Sequence, residues 1–183
     1  MKKGILFVLM TSALCILADE PLPKPVTYKQ YSPNKMYVAD VSLETKTITV
    51  SLVGQDKRTT EVWRISGWFR WVFVANNGQY ISIPYNGGNL LARDYKKDEE
   101  RLRIIKQGKI VKIVKLNELI SDYANLRRTV SHYDWGKYLG FNKDNEFILE
   151  TVEHIWFFIN PDTGIIRKEK APIQEWQMLE SPK

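Results

Sequence analysis

The stretch SPNKMYVADV (residues 32–41) decides the fold, because the chain half-repeats it as ANNGQYISIP (75–84) and again as KDNEFILETV (143–152). Aligned on Asn34, Asn77 and Asp144, each copy runs from a polar turn residue to an aromatic (Tyr37, Tyr80, Phe147) and then to a β-branched residue (Val38, Ile81, Ile148). A turn that delivers a large aromatic into a β-branched run is a hairpin entering a sheet. The first two copies are separated by roughly the 40 to 45 residues of a four-stranded blade. The third lies further on, and a loop after Tyr85 and a helical segment account for the excess.

Outward from these copies the same style continues. KMYVADVSL, KTITVSLV and TTEVWRI are separated by the polar turns ETK and GQDKR; WFRWVFVA, QYISIPY, RLRIIK and IVKIVKL follow, with NNG, NGGNLLARDYKKDE and QGK between them. Asn77-Gly78 and Gln107-Gly108 suit tight hairpin turns, where glycine supplies a positive φ. In LNELISDYANLRR the period changes: Leu116, Leu119, Ile120, Tyr123 and Leu126 recur at helical spacing, with Asn117 as cap and Arg127 and Arg128 at the end the macrodipole favours. EFILETVEHIWFFINPDTGIIRKEKAP returns to strands, reversed at Asn160-Pro161-Asp162-Thr163-Gly164. The expected fold is mainly β: antiparallel blade-like hairpin repeats forming a partial or open propeller-like array, or a sandwich, with one amphipathic helix near 117–128. Three units fall short of the four blades of a closed propeller, so a homo-oligomer that completes the ring is also allowed.

SPNKMYVADV resembles the Ser-Pro-Asp-Gly-Lys-Tyr opening of periplasmic propeller repeats, with Asn34 for the usual Asp and Lys35 where Gly is commonest. The order of an SPN hairpin, a Trp-rich strand, ANNGQYISI, a GK-IVK strand, LNELI and NPDTGII is similar to a family of small exported bacterial proteins of unassigned function. Their turns read Asp-Asp-Gly-Arg-Tyr and Asp-Gly-Lys-Leu-Val. The resemblance implies an exported β-rich protein with propeller-like hairpins and transfers no catalytic residue.

MKKGILFVLMTSALCILA (1–18) has a basic head, a short apolar run and an abrupt polar end, which is the layout of a secretory signal peptide cleaved after Ala18. Acylation of Cys15 is the alternative, disfavoured because Leu14 precedes it where that processing wants a small side chain. Residues 19–33, with Pro21, Pro23, Pro25 and Pro33, read as an extended leader; 34–171 as a single β-rich domain; and 172–183 as a tail in which Trp176 docks on the body. The location expected is periplasmic or secreted, with no stable membrane span once the signal is removed. The formal net charge of +6 includes Lys2 and Lys3, so the mature chain is only mildly basic, too little to argue for nucleic acid. Its one cysteine leaves with the signal, which removes disulfides, thiol catalysis and zinc-thiolate sites.

No residue pattern carries a cofactor, metal or catalytic assignment. His132-Tyr133-Asp134 supplies two metal donors without a third, and ETVEH (150–154) has Glu150 where an inverted zinc-protease motif needs histidine. NGGN (86–89) lacks the lysine and helix start of a phosphate cradle, so it reads as a flexible loop at the end of a blade. Lys109, Lys115, Arg101 and Arg103 read as charges that protect sheet edges. Along WFRWVFV, Phe69, Trp71 and Phe73 form a core face, and Trp68 beside Arg70 on the other is a candidate aromatic platform.

The function expected is therefore a non-catalytic binding or interaction module of the cell envelope, with an envelope protein or glycan as partner. An envelope hydrolase with dispersed carboxylates is the alternative. Candidate contact residues are Asn86 and Asn89 on the long loop, His132, Tyr133, Asp134 and Trp135, with Trp135 as anchor, and Trp68, since loops on rigid scaffolds carry recognition.

Overall fold

The computed structural model describes residues 22–172. The signal-peptide reading of 1–18 and the docking of Trp176 lie outside the described residues. Among the described residues the chain is mainly β, built from three four-stranded antiparallel meanders and one small three-stranded sheet. The first meander comprises β1 (Tyr28–Tyr31), β2 (Tyr37–Ser42), β3 (Thr47–Val53) and β4 (Thr59–Ser66). The second uses β5 (Phe73–Val74) and β6 (Tyr80–Pro84), skips β7 (Leu90–Leu91), and resumes with β8 (Glu100–Lys106) and β9 (Lys109–Lys115). A one-turn helix α1 (Leu116–Leu119), a 3₁₀ turn (Tyr123–Asn125), β10 (Arg127–Arg128) and β11 (Tyr133–Asp134) lead to the third meander. That meander is β12 (Gly136–Phe141), β13 (Phe147–Thr151), β14 (Ile155–Ile159) and β15 (Ile166–Lys170), and the small sheet is ordered β10-β11-β7. Among the described residues the sheets form no closed barrel.

Alternation places two apolar layers between the three meanders. Ala39, Val41, Ile48 and Val50 of the first meet Val72, Val74, Ile81, Ile83 and Ile105 of the second. On the opposite face of the second, Tyr80, Leu102, Ile104 and Val114 meet Phe141, Phe147, Leu149, Phe157 and Ile159 of the third, with Leu116, Leu119 and Trp135 filling one end. The middle sheet is thus apolar on both faces, while β5 lies against β1, β2 and β12.

The repeated stretch is a repeated structure. In each copy a turn closes through an N–H to C=O bond over three residues: Lys35 to Ser32 at 2.8 Å, Gly78 to Ala75 at 3.1 Å, Asn145 to Asn142 at 3.2 Å. The donor in each is left-handed, with φ of +60°, +64° and +62°. The aromatic that follows opens the second strand of its meander, β2, β6 or β13. Tyr80 and Phe147 are fully buried, while Tyr37 is only half-buried because its sheet ends the stack. The three turns are also bonded to one another. Asn76 accepts from the Asn34 N–H at Oδ1 (2.9 Å) and donates from Nδ2 to the Asn142 carbonyl (3.0 Å), while the Asn77 N–H donates to Asn145 Oδ1 (3.2 Å).

Four expectations need correction. The leader over 19–33 is already folded from Tyr28, because Tyr28 points into the first apolar layer and Lys29 out to Asp40 as β1 pairs with β2. In WFRWVFVA only Phe73–Val74 pairs; the segment before it crosses between sheets, and its polar groups bond the lead-in chain, Tyr28 Oη donating to the Phe69 carbonyl at 2.8 Å and Trp68 Nε1 to the Val26 carbonyl at 2.9 Å. The helix near 117–128 is one turn long, capped at Lys115 rather than Asn117. It stops because the Glu153 carboxylate on the β13–β14 turn captures the next donors, Ser121 N–H at 3.1 Å and Asp122 N–H at 2.8 Å, and Ile120 turns extended. Arg101, expected on an exposed strand face, is fully buried: a bulge between Glu100 and Leu102 rotates it inward over the Tyr85 ring at 4.0 Å and beside Glu99 at 2.5 Å.

Candidate functional site

The small sheet arises where the long loop after β6 meets the segment before β12. Pairing of Leu90 with Asp134 and of Arg127 with Asp134 lays these short strands against one end of the third meander. Between them and that meander runs a groove of about 260 Å³, bordered by Asn89, Arg127 and Asp134 on one side and Lys137, Glu150, His154 and Trp156 on the other.

The meander side of the groove follows from strand register. Lys137 faces Glu150, and Glu150 faces Trp156, on three adjacent strands. Cross-strand neighbours on one face are close enough to bond. Lys137 Nζ lies 3.0 Å from Glu150 Oε2, Trp156 Nε1 donates to the same oxygen at 3.1 Å, and His154 Nδ1 is 3.6 Å from Oε1. Burial alone would raise the Glu150 carboxyl's pKa, but the hydrogen bonds from Lys137 and Trp156 and the lysine's charge outweigh it and hold the group below the ordinary glutamate range. The close fit of β12 on β13 requires Gly136, whose φ is +154° and where a Cβ would sit 2.1 Å from the Glu150 carbonyl oxygen.

The loop side is anchored by Asp134. Its Oδ1 accepts from Asn89 Nδ2 and from the Gly136 N–H, both at 3.2 Å, and its Oδ2 takes the Arg127 guanidinium. The acids lie deep and the basic side chains stand at the rim: Asp134 and Glu150 side chains are each 14% exposed, against 72% for Arg127, 54% for Lys137 and 64% for the His154 imidazole. Thr151, which also lines the groove, is 2% exposed, and its hydroxyl has no hydrogen-bond partner among the described residues.

Of the residues singled out in the sequence, Asn89 and Asp134 meet in this groove. Asn86, His132 and Tyr133 sit on the same two segments without lining it: Asn86 is exposed, His132 closes a turn with Thr129, and Tyr133 packs edge-on to Tyr95 at 5.8 Å. Trp135 is no surface anchor. It is fully buried, its Nε1 donating to the Gly88 carbonyl at 3.2 Å and its ring edge-on to Tyr138 at 5.1 Å. Trp68 is half-buried in the other apolar layer, stacked with Arg70 at 5.7 Å. Sequence reasoning passed over Arg127, Lys137 and Trp156 and set Glu150 and His154 aside with the false zinc motif; the alternation in FILET and IWFFI was the available signal for the outward pair Glu150 and Trp156. No protein-family model matches this sequence, and no curated protein matches it.

Proposed function

We propose that this protein is an exported, non-catalytic binding module of the cell envelope, an open propeller-like array of three blades that takes its ligand in the groove beside the third. Export rests on the signal-peptide pattern of 1–18. The observation that carries the binding reading is how the groove's two carboxylates are engaged by their neighbours. Glycoside hydrolysis by a pair of carboxyls needs one of them held protonated near neutrality to act as acid. Glu150 is held ionised by Lys137 and Trp156, and Asp134 is occupied by Arg127, Asn89 and the Gly136 N–H. Both orient their neighbours rather than attack a bond.

Co-sedimentation with purified envelope material tests this. The protein is expected to sediment with it, and the double variant Arg127→Ala, Lys137→Ala is expected to stay in solution with an unchanged melting temperature, since both side chains are largely exposed. Retention of the double variant overturns the groove as the site. Turnover of the envelope polymer that Glu150→Gln abolishes establishes the hydrolase instead.

A further inference from the structure

We infer that the groove recognises a carboxylate-bearing sugar ring, an inference that rests on the binding reading above and names its ligand class. The charge arrangement gives the sign. The charged side chains that meet a ligand first are Arg127 and Lys137, both more than half exposed, while the acids that hold them are recessed. Arg127 gives one nitrogen to Asp134 and Lys137 one proton to Glu150, so both keep further donors for a second anion. A rim of cations positioned from beneath by buried carboxylates therefore presents donors, not acceptors, to what enters.

Shape and chemistry of the remaining wall favour a saccharide over a peptide. The Trp156 indole is fixed by its bond to Glu150, which gives a rigid aromatic wall of the kind that stacks on the C–H face of a pyranose. Asn89 contributes an exposed planar amide suited to hydroxyl groups. The volume of about 260 Å³ falls short of the roughly 300 Å³ at which drug-sized sites begin, room for one ring and its substituent. The apolar lining is limited to Val152, Trp156 and Pro172, which offers no deep pocket for a peptide anchor.

The test uses two disaccharides that differ in one lactyl ether, which carries the carboxylate: N-acetylglucosaminyl-N-acetylmuramic acid and N,N′-diacetylchitobiose, titrated into the purified protein by calorimetry. A charge-assisted contact to the rim predicts that the acidic sugar binds about tenfold or more tighter. Raising salt from about 0.05 to 0.5 M is expected to erase most of that difference. Arg127→Gln and Lys137→Gln should each remove the preference while leaving the melting temperature in place, and Trp156→Ala should weaken both sugars. Acetate or a glutamate-rich tripeptide binding as tightly as the acidic disaccharide removes the sugar from the proposal. Equal affinity for chitobiose overturns the carboxylate preference alone, provided the groove variants still lose envelope co-sedimentation. Failure of both sugars together with intact co-sedimentation of those variants overturns the groove reading beneath it.

Discussion

Lys35, Gly78 and Asn145 occupy the same backbone position in three turns, and the residue chosen at each has a different cost. A left-handed φ costs an ordinary side chain about 1 kcal/mol, asparagine less and glycine nothing. Lys35 is exposed at φ +60°, so Lys35→Gly relieves the strain with nothing else to lose. It should raise stability by about 0.5 to 1 kcal/mol in urea unfolding, part of the gain being offset by the greater freedom of glycine in the unfolded chain. Gly78→Ala acts in the opposite direction. A Cβ at Gly78 would sit 2.2 Å from the Tyr37 ring, which the first sheet lays across the turn of the second. That variant should lose about 1 to 3 kcal/mol, and a loss below that range would mean that Tyr37 moves freely. Trp135 belongs to the same scale. With a fully buried indole that ties the Gly88 carbonyl to the core, Trp135→Ala should cost about 3 to 5 kcal/mol.

Among the elements, α1 shows how a tertiary contact overrules a local pattern. Leu116, Leu119, Ile120 and Leu126 are all buried in one apolar layer, as helical spacing requires, yet the backbone leaves the helix after Leu119. Glu153 satisfies the donors that a longer helix would have used, and burial, which alone would raise its pKa, is outweighed by the bonds from Ser121 and Asp122. Glu118 is likewise held low, burial again opposing and the Lys112 ammonium and Lys115 N–H prevailing. A carboxyl depressed in the folded state binds its proton more readily when unfolded, so this stability is present above the unfolded pKa and lost as pH falls through the folded one. Urea midpoints from about pH 7 to about pH 3 should therefore fall below the ordinary glutamate value of 4.5, and Glu153→Gln should lower the neutral midpoint and flatten the acid slope. An unchanged slope would assign acid sensitivity elsewhere. The turn-aromatic-β-branched repeat was legible because turns are local: Asn34 and Asn77 mark β2 and β6 before any contact is known. Glu153 was not legible as a helix stop, since it acts from another hairpin. The same holds for the groove. Asn89 and Asp134 lie on loops that announce themselves, whereas Lys137, Glu150 and Trp156 become neighbours only through the register of β12, β13 and β14.

For the molecule as a whole, the two ends of the stack differ. The outward row on the first meander, Lys29, Asp40, Thr49 and Arg64, is polar and suits a terminal face in water. The outward face of the third carries Trp156 and Phe158 at 6.1 Å, with Arg167 stacked over Phe158 at 4.0 Å, beside the groove. Between these ends, cohesion comes from the two apolar layers and from the Asn76 side chain, which bonds the first turn through Asn34 and the third through Asn142. Asn76 is thus the one side chain in this ladder that touches all three repeats. Asn76→Ala leaves the Asn34 N–H without its acceptor and strips the Asn142 carbonyl of one of its two donors, the Asn145 N–H remaining, which costs about 1 to 3 kcal/mol. The loss should not be uniform. The middle sheet is packed on both faces, so its amides should remain the most protected, while the first and third sheets, each held on one face only, should lose hydrogen-exchange protection ahead of it. Equal loss across all three sheets would mean that the stack unfolds as one unit and that the turn ladder adds stability without setting the order in which the sheets separate.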